Sequence, residues 1–251
     1  MTGPIEEATP DRVAELVERL AAVRARIDAA CAAAGRDRNE VELLAVTKTV
    51  PAADVAALLD LGLDRLGENR VQEAGEKVAA VARLRPDARP RWSFVGGLQR
   101  NKVKAVAGWA DRVESVDSRR LADGLNRAVQ RALDAGRRRA PLPVLLQYSV
   151  DGDPERGGVP RADLLALAEH VTSCAGLRLD GLMAVAPLTG TGTREAFADI
   201  AAAAALLRSA HPRARTLSAG MSGDLDVAIG HGSTVVRVGT ALVGERPITS
   251  R

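Results

Sequence analysis

Aromatic residues are nearly missing from this 251-residue chain: two tryptophans, two phenylalanines and one tyrosine make up 2% of it. A core must therefore be assembled from aliphatic side chains, and a nucleic-acid surface of basic residues interleaved with stacking rings is not expected. Cysteine is as scarce. Cys31 and Cys174 are too few for a disulfide framework, and neither has a second thiol or a histidine at metal-ligand spacing, so no metal is expected and a reducing cytosol fits best. No run of about 18 apolar residues exists, and the amino terminus lacks a basic-then-apolar leader pattern, so neither a membrane span nor export is expected. Lysine is the last shortage, with only Lys48, Lys77, Lys102 and Lys104 among 35 basic residues.

What is present is an alternation of two periods. Val13, Leu16, Leu20, Val23, Ile27 and Cys31 recur every three or four residues, the stripe of one long opening helix that Gly35 ends. Strand-like apolar runs follow at 41–47, 64–67, 91–96, 112–116, 142–150, 178–185, 214–218 and 234–238. Helical patterns lie after Pro51 and near 70–83, 100–108, 118–135, 161–174, 194–210 and 223–229. Eight strands alternating with helices predict a parallel α/β fold of the (β/α)8 TIM-barrel type, with an open doubly wound sheet as the competitor. The chain leaves little room for a closing helix after the eighth strand. Residues 1–35 are therefore expected to pack on the barrel as an extra helix of a single 1–251 domain. The net charge of +3 comes from arginines spread along helices, and the densest run, Arg137 to Arg139, is expected at a solvated helix end.

In a barrel the chemistry sits at the carboxyl ends of strands. Lys48 ends the run Leu43 to Thr47 in a chain whose surface cations are almost all Arg. An amine there can lose its proton when desolvated and attack a carbonyl, which a guanidinium cannot; a strand-end lysine reaching solvent is the plain alternative. The segment Leu217 to Asp224 is rich in small residues and leads into a helix, with Ser222 as a natural cap, so a phosphate would fit there, as would an ordinary capped turn. Val235 to Thr240 ends an apolar strand in Arg237, Gly239 and Thr240, and the loops after strands seven and eight are the habitual anion site of this architecture. Arg237 alternates with Val236 and Val238 and should point into the barrel or toward its mouth. The acidic loop Asp151 to Gly158 matches no calcium-loop spacing and is expected to be a surface turn. His170, His211 and His231 are expected to be structural or surface residues.

Four ordered blocks then resemble the pyridoxal phosphate homeostasis proteins, a family similar in fold to the barrel domain of alanine racemase. They are LLAVTKT at 43–49, GENRVQE at 67–73, WSFVGGLQRNK at 92–102 and LSAGMSGDLDVAIGHGSTVVRVGTALVG at 217–244. The resemblance implies that Lys48 carries pyridoxal 5′-phosphate (PLP) as a Schiff base and that Asn69 lies near it. It puts Ser218, Met221, Ser222, Gly239 and Thr240 where the phosphate is held, and Arg237 where the pyridine nitrogen is met. Ser93, Tyr148 and Val243 depart from the usual residues of the family.

The implied function is intracellular PLP homeostasis: holding the cofactor, supplying PLP-dependent apo-enzymes or buffering it, as a cytoplasmic monomer without robust catalysis. A weak racemase is the first alternative, although racemases of similar fold draw a proton-transfer tyrosine from a second domain and this chain has Tyr148 alone. A Schiff-base aldolase acting on a sugar phosphate is the second.

Overall fold

Thr9 accepts the Arg12 N–H, Pro10 fixes the first turn, and Leu16, Leu20, Val23, Ile27 and Cys31 form one buried stripe, so Pro10–Ala33 folds as helix α1. The computed structural model describes residues 6–153, 156–187 and 192–244. Within them the strands are β1 (Glu42–Val46), β2 (Arg65–Glu68), β3 (Arg91–Phe94), β4 (Arg112–Val116), β5 (Leu142–Tyr148), β6 (Leu177–Ala184), β7 (Thr216–Ser218) and β8 (Val235–Val238). The intervening helices are α2 (Ala52–Asp60), α3 (Val71–Leu84), α4 (Val103–Trp109), α5 (Arg119–Asp134), α6 (Leu164–Ser173), α7 (Thr193–Ala210) and α8 (Leu225–Gly230), with a last turn α9 (Thr240–Val243).

All neighbouring strands pair in parallel, and β1 pairs β8 over four positions from Glu42↔Val235 to Ala45↔Val238. That pairing closes the sheet and excludes the open doubly wound alternative: the fold is a (β/α)8 barrel. Helix α1 sits where expected, its apolar stripe in one core cluster with β1, α2, α8 and β8. Its polar edge is fixed by Arg12, which bonds Asp54 of α2 at 2.9 Å and the Val243 carbonyl at 2.7 Å, and by Arg26 against Asp226 and the Ser222 carbonyl.

Strand register assigns the barrel interior. Glu42 and Leu44 of β1, Val235 and Arg237 of β8, Arg65 and Gly67 of β2, Ser93 of β3 and Arg112 of β4 align as partners on one face. The interior is thus partly ionic: Glu42 meets Arg112 at 3.1 Å and Arg65 at 3.3 Å, and Arg112 meets Glu114 at 2.9 Å. Gly181 is obligatory at the β5–β6 register shift, because a Cβ there would lie 1.9 Å from the Thr216 carbonyl oxygen. No helix among the described residues is long and apolar enough to cross a membrane.

One surface expectation changes. Arg138 is half-buried and donates to the Ala107 and Ala110 carbonyls at 3.2 and 2.9 Å, so the middle of the arginine run ties down the end of α4 rather than standing in solvent. In the acidic loop, Arg156 neutralises Asp151 at 2.6 Å and Asp153 at 3.1 Å; Pro154 and Glu155 lie outside the described residues.

Candidate functional site

At the carboxyl end of β1 the chain makes a turn over Thr47 to Val50, closed by the Val50 N–H on the Thr47 carbonyl at 3.0 Å. Lys48 stands on this turn, two residues past the strand. Its side chain is exposed, so the desolvation expected of a strand-end amine is not supplied by neighbouring protein atoms. What the fold supplies instead is a fixed backbone. The Thr47 hydroxyl donates to Glu68 Oε1 at 2.7 Å, Lys77 Nζ donates to the Thr47 carbonyl at 2.5 Å, and the Thr49 N–H donates to Glu73 Oε1 at 2.6 Å. Thr49 has φ +62, a left-handed conformation that a β-branched residue adopts only when its surroundings impose it.

Lys77 carries this arrangement. It is 6% exposed, and its ammonium also meets Glu68 at 2.7 Å and Glu73 at 3.1 Å. Burial raises the pKa of the Glu68 carboxyl, with Lys77 and Thr47 opposing the rise, and Glu68 Oε2 is buried without a partner. Sequence reasoning passed over these residues. The scarcity of lysine that singled out Lys48 applied equally to Lys77.

Asn69 follows β2 directly. Its backbone is clamped by Gly96, where a Cβ would approach the Asn69 carbonyl oxygen to 2.5 Å, and its side-chain Oδ1 is buried and unpartnered. A groove of about 460 Å³ opens beside it, lined by Arg70, Gln72, Glu73, Gln99 and Lys102. A slightly larger one, about 490 Å³, lies at the opposite, amino end of the strands. Its Arg65 and Arg112 are already paired with Glu42, so it serves stability rather than chemistry.

Across the β8–β1 seam lie the remaining candidates. Gly220 has φ +93 and is packed so that a Cβ would meet the Ala228 Cβ at 2.5 Å. Gly239 lies against β1, its missing Cβ 3.5 Å from the Val46 carbonyl oxygen. Thr240 is exposed at the start of α9, while Met221 and Ser222 are partly exposed. One expectation is corrected here. Asp224, not Ser222, caps α8 by position, and its carboxylate takes the Met221 N–H at 2.6 Å. Ser218 is fully buried, its hydroxyl donating to Glu114 at 2.6 Å and accepting from Arg237 at 2.8 Å. Arg237 points inward as expected and also donates to the Ser218 and Ala184 carbonyls at 2.7 and 2.8 Å. Burial lowers its pKa, and the Glu114 carboxylate works against that.

The family described as alanine racemase, N-terminal domain, matches residues 19–247. A pyridoxal phosphate homeostasis protein of Mycobacterium bovis is 46% identical over 97% of both chains. The chain belongs to the pyridoxal phosphate homeostasis protein family. Two solved structures similar to it are an unknown protein from Bifidobacterium adolescentis (32% identity, 96% of this chain and 100% of that one, TM-score 0.85) and PipY of Synechococcus elongatus with PLP bound (34% identity, 91% and 100%, TM-score 0.75). Against the family pattern, Ser93 and Val243 are buried packing residues here. Tyr148 donates to Asp199 of α7 at 2.6 Å and so faces the helix layer.

The structure also overturns one reading of the cysteines. His170 and Cys174 are four residues apart around the end of α6, and with Asp123 of α5 they offer ligand atoms all within 4.8 Å of one another. The signal was in the sequence, a histidine one helical turn before a cysteine.

Proposed function

We propose that this protein binds PLP through a Schiff base on Lys48 and serves intracellular PLP homeostasis, supplying or buffering the cofactor without robust catalysis. The observation that carries the reading is the Lys48 turn: an exposed amine on a backbone fixed from three sides, followed by a strained Thr49. It opens on the same barrel mouth as the buried, unpartnered Asn69 Oδ1 and the Gly220 and Gly239 turns. These residues fit the cofactor. Gly220 permits a left-handed turn and Gly239 a close approach to β1, which hold both turns at the mouth, and Asn69 Oδ1 is a polar atom awaiting a partner.

Bound PLP supplies an aldehyde and an electron-withdrawing ring. Lys48 would contribute the nucleophilic amine; Gly239, Thr240, Met221 and Ser222 would border the phosphate; Asn69 would border the ring. Arg237 would lie beneath the pyridine nitrogen, and a guanidinium does not readily give up its proton, which supports holding over electron-sink chemistry. Tyr148 supports the same side. Burial first and its bond to Asp199 second push its pKa up to about 12, and it faces away from the barrel axis, an unsuitable proton-transfer group. A cytoplasmic, monomeric protein acting on apo-enzymes accords with this reading.

The test is mass spectrometry of borohydride-reduced protein after incubation with PLP. A single pyridoxyl group on the Lys48 peptide, lost in Lys48→Ala, is expected. An adduct on Lys77, Lys102 or Lys104 alone, or none, refutes the assignment. Sustained racemisation of alanine or serine by the purified protein would refute the non-catalytic part.

A further inference from the structure

We propose that Asp123, His170 and Cys174 form a binding site for a zinc-class divalent cation on the outer wall of the barrel, between α5 and α6. The site is separate from Lys48 and does not depend on the cofactor reading. Among the described residues it is the one group of three potential ligands of this kind, and its atoms lie within 4.8 Å of one another. Ligands on one tetrahedral zinc stand roughly 3 to 4 Å apart, given metal bonds of about 2.0 Å to nitrogen and oxygen and about 2.3 Å to sulfur, so small side-chain adjustments close the set. The donor types decide the metal. A thiol with an imidazole and one carboxylate suits zinc, whereas magnesium and calcium want oxygen alone.

The frame around the three residues is already fixed. Cys174 sits at the end of α6 with its N–H on the Val171 carbonyl at 3.1 Å. The turn beyond it is tied to α5, because Asn126 Oδ1 accepts the Gly176 N–H at 2.8 Å and a Cβ at 176 would lie 2.8 Å from that same oxygen. Asn126 is one turn along α5 from Asp123, so one helix face holds the loop and offers the carboxylate. His170 Nε2 is 2.7 Å from Asp123 Oδ1, an alignment that turns the imidazole toward the cluster. Cys174 is 5% exposed while the Asp123 side chain is 43% exposed, which leaves the outer side open to a water as fourth ligand. Coordination releases the thiol proton of Cys174 to solvent and leaves a thiolate on the metal.

Cobalt(II) is the probe, added to full-length, chelator-treated protein. The expected result is a near-ultraviolet thiolate-to-cobalt charge-transfer band that saturates at one cation per chain and is erased by zinc(II). Cys174→Ser should abolish the band, and His170→Gln, at a partly exposed position, should weaken cobalt binding at least about tenfold. No charge-transfer band in the wild type, a band that survives Cys174→Ser, or unchanged affinity in His170→Gln would each overturn the site. Should Cys174→Ser fail to fold, the His170→Gln titration decides alone.

Discussion

Replacing Lys77 by Met keeps the volume of the side chain and removes the ammonium that three oxygens share: the Thr47 carbonyl at 2.5 Å, Glu68 Oε1 at 2.7 Å and Glu73 Oε1 at 3.1 Å. The Glu68 side chain has no exposure, and its Oε2 already lacks a partner, so its charge would be left with the Thr47 hydroxyl as its only neutral donor. Breaking a buried pair in this way costs about 3–5 kcal/mol, a large part of the roughly 5–15 kcal/mol that holds a domain together. The sign with pH follows from the direction of the shift. Burial already holds the Glu68 pKa above its ordinary 4.5, and without Lys77 it rises further. A carboxyl whose folded pKa is raised favours the fold most below its unfolded pKa and loses that contribution as pH rises through the folded one. The Lys77→Met deficit should therefore be largest at neutral pH and shrink toward the ordinary carboxylate range, and Lys77→Met/Glu68→Gln should recover much of it. Urea unfolding across pH measures this. A single variant within about 1 kcal/mol of wild type at neutral pH would refute the argument, as would a deficit that ignores pH. PLP affinity should fall with stability, because the Thr47 carbonyl bonded by Lys77 immediately precedes Lys48.

Two further substitutions separate the mouth of the barrel from its wall. Gly96→Ala pushes a Cβ to 2.5 Å of the Asn69 carbonyl oxygen, and should cost about 1–3 kcal/mol in thermal melts and weaken PLP binding; a variant unchanged in both would show that Asn69 is not positioned by this contact. Tyr148→Phe removes the 2.6 Å bond to Asp199, and should lower stability by about 1–2 kcal/mol while leaving a PLP titration unchanged; lost binding would put the phenol in the site.

The barrel was legible because its strands are buried on both faces and its helices are striped, so period alone separated them; the eight expected runs overlap β1 to β8 with shifts mostly at their ends. Lys48, Arg237, Gly239 and Thr240 are singled out by position at strand ends, and Asn69 by family resemblance alone; their places at the carboxyl ends of β1, β2 and β8 are what the structure adds. The pairing of Ser218 was not legible in the sequence. Its partner Glu114 is 104 residues away, and only barrel closure puts the acid of β4 beneath the hydroxyl of β7. Asp123 was missed for the same reason, since the fold brings it near His170 and Cys174, whereas Lys77 had a local signal in Glu73 one helical turn earlier.

That long-range pairing explains how Arg237 can remain charged at 5% exposure. A lone guanidinium inside a barrel would be expelled or neutralised. Here it hangs from two strand carbonyls and from Ser218 Oγ, which donates onward to Glu114; Glu114 takes Arg112, and Arg112 takes Glu42 at the amino end. The charges alternate along this column, so each is compensated by the next. Ser218, held in the column, fixes Arg237 at one height beneath the mouth. The Gly220 to Ser222 and Gly239 to Thr240 turns, which follow β7 and β8, are then left above the last bonded member of the column.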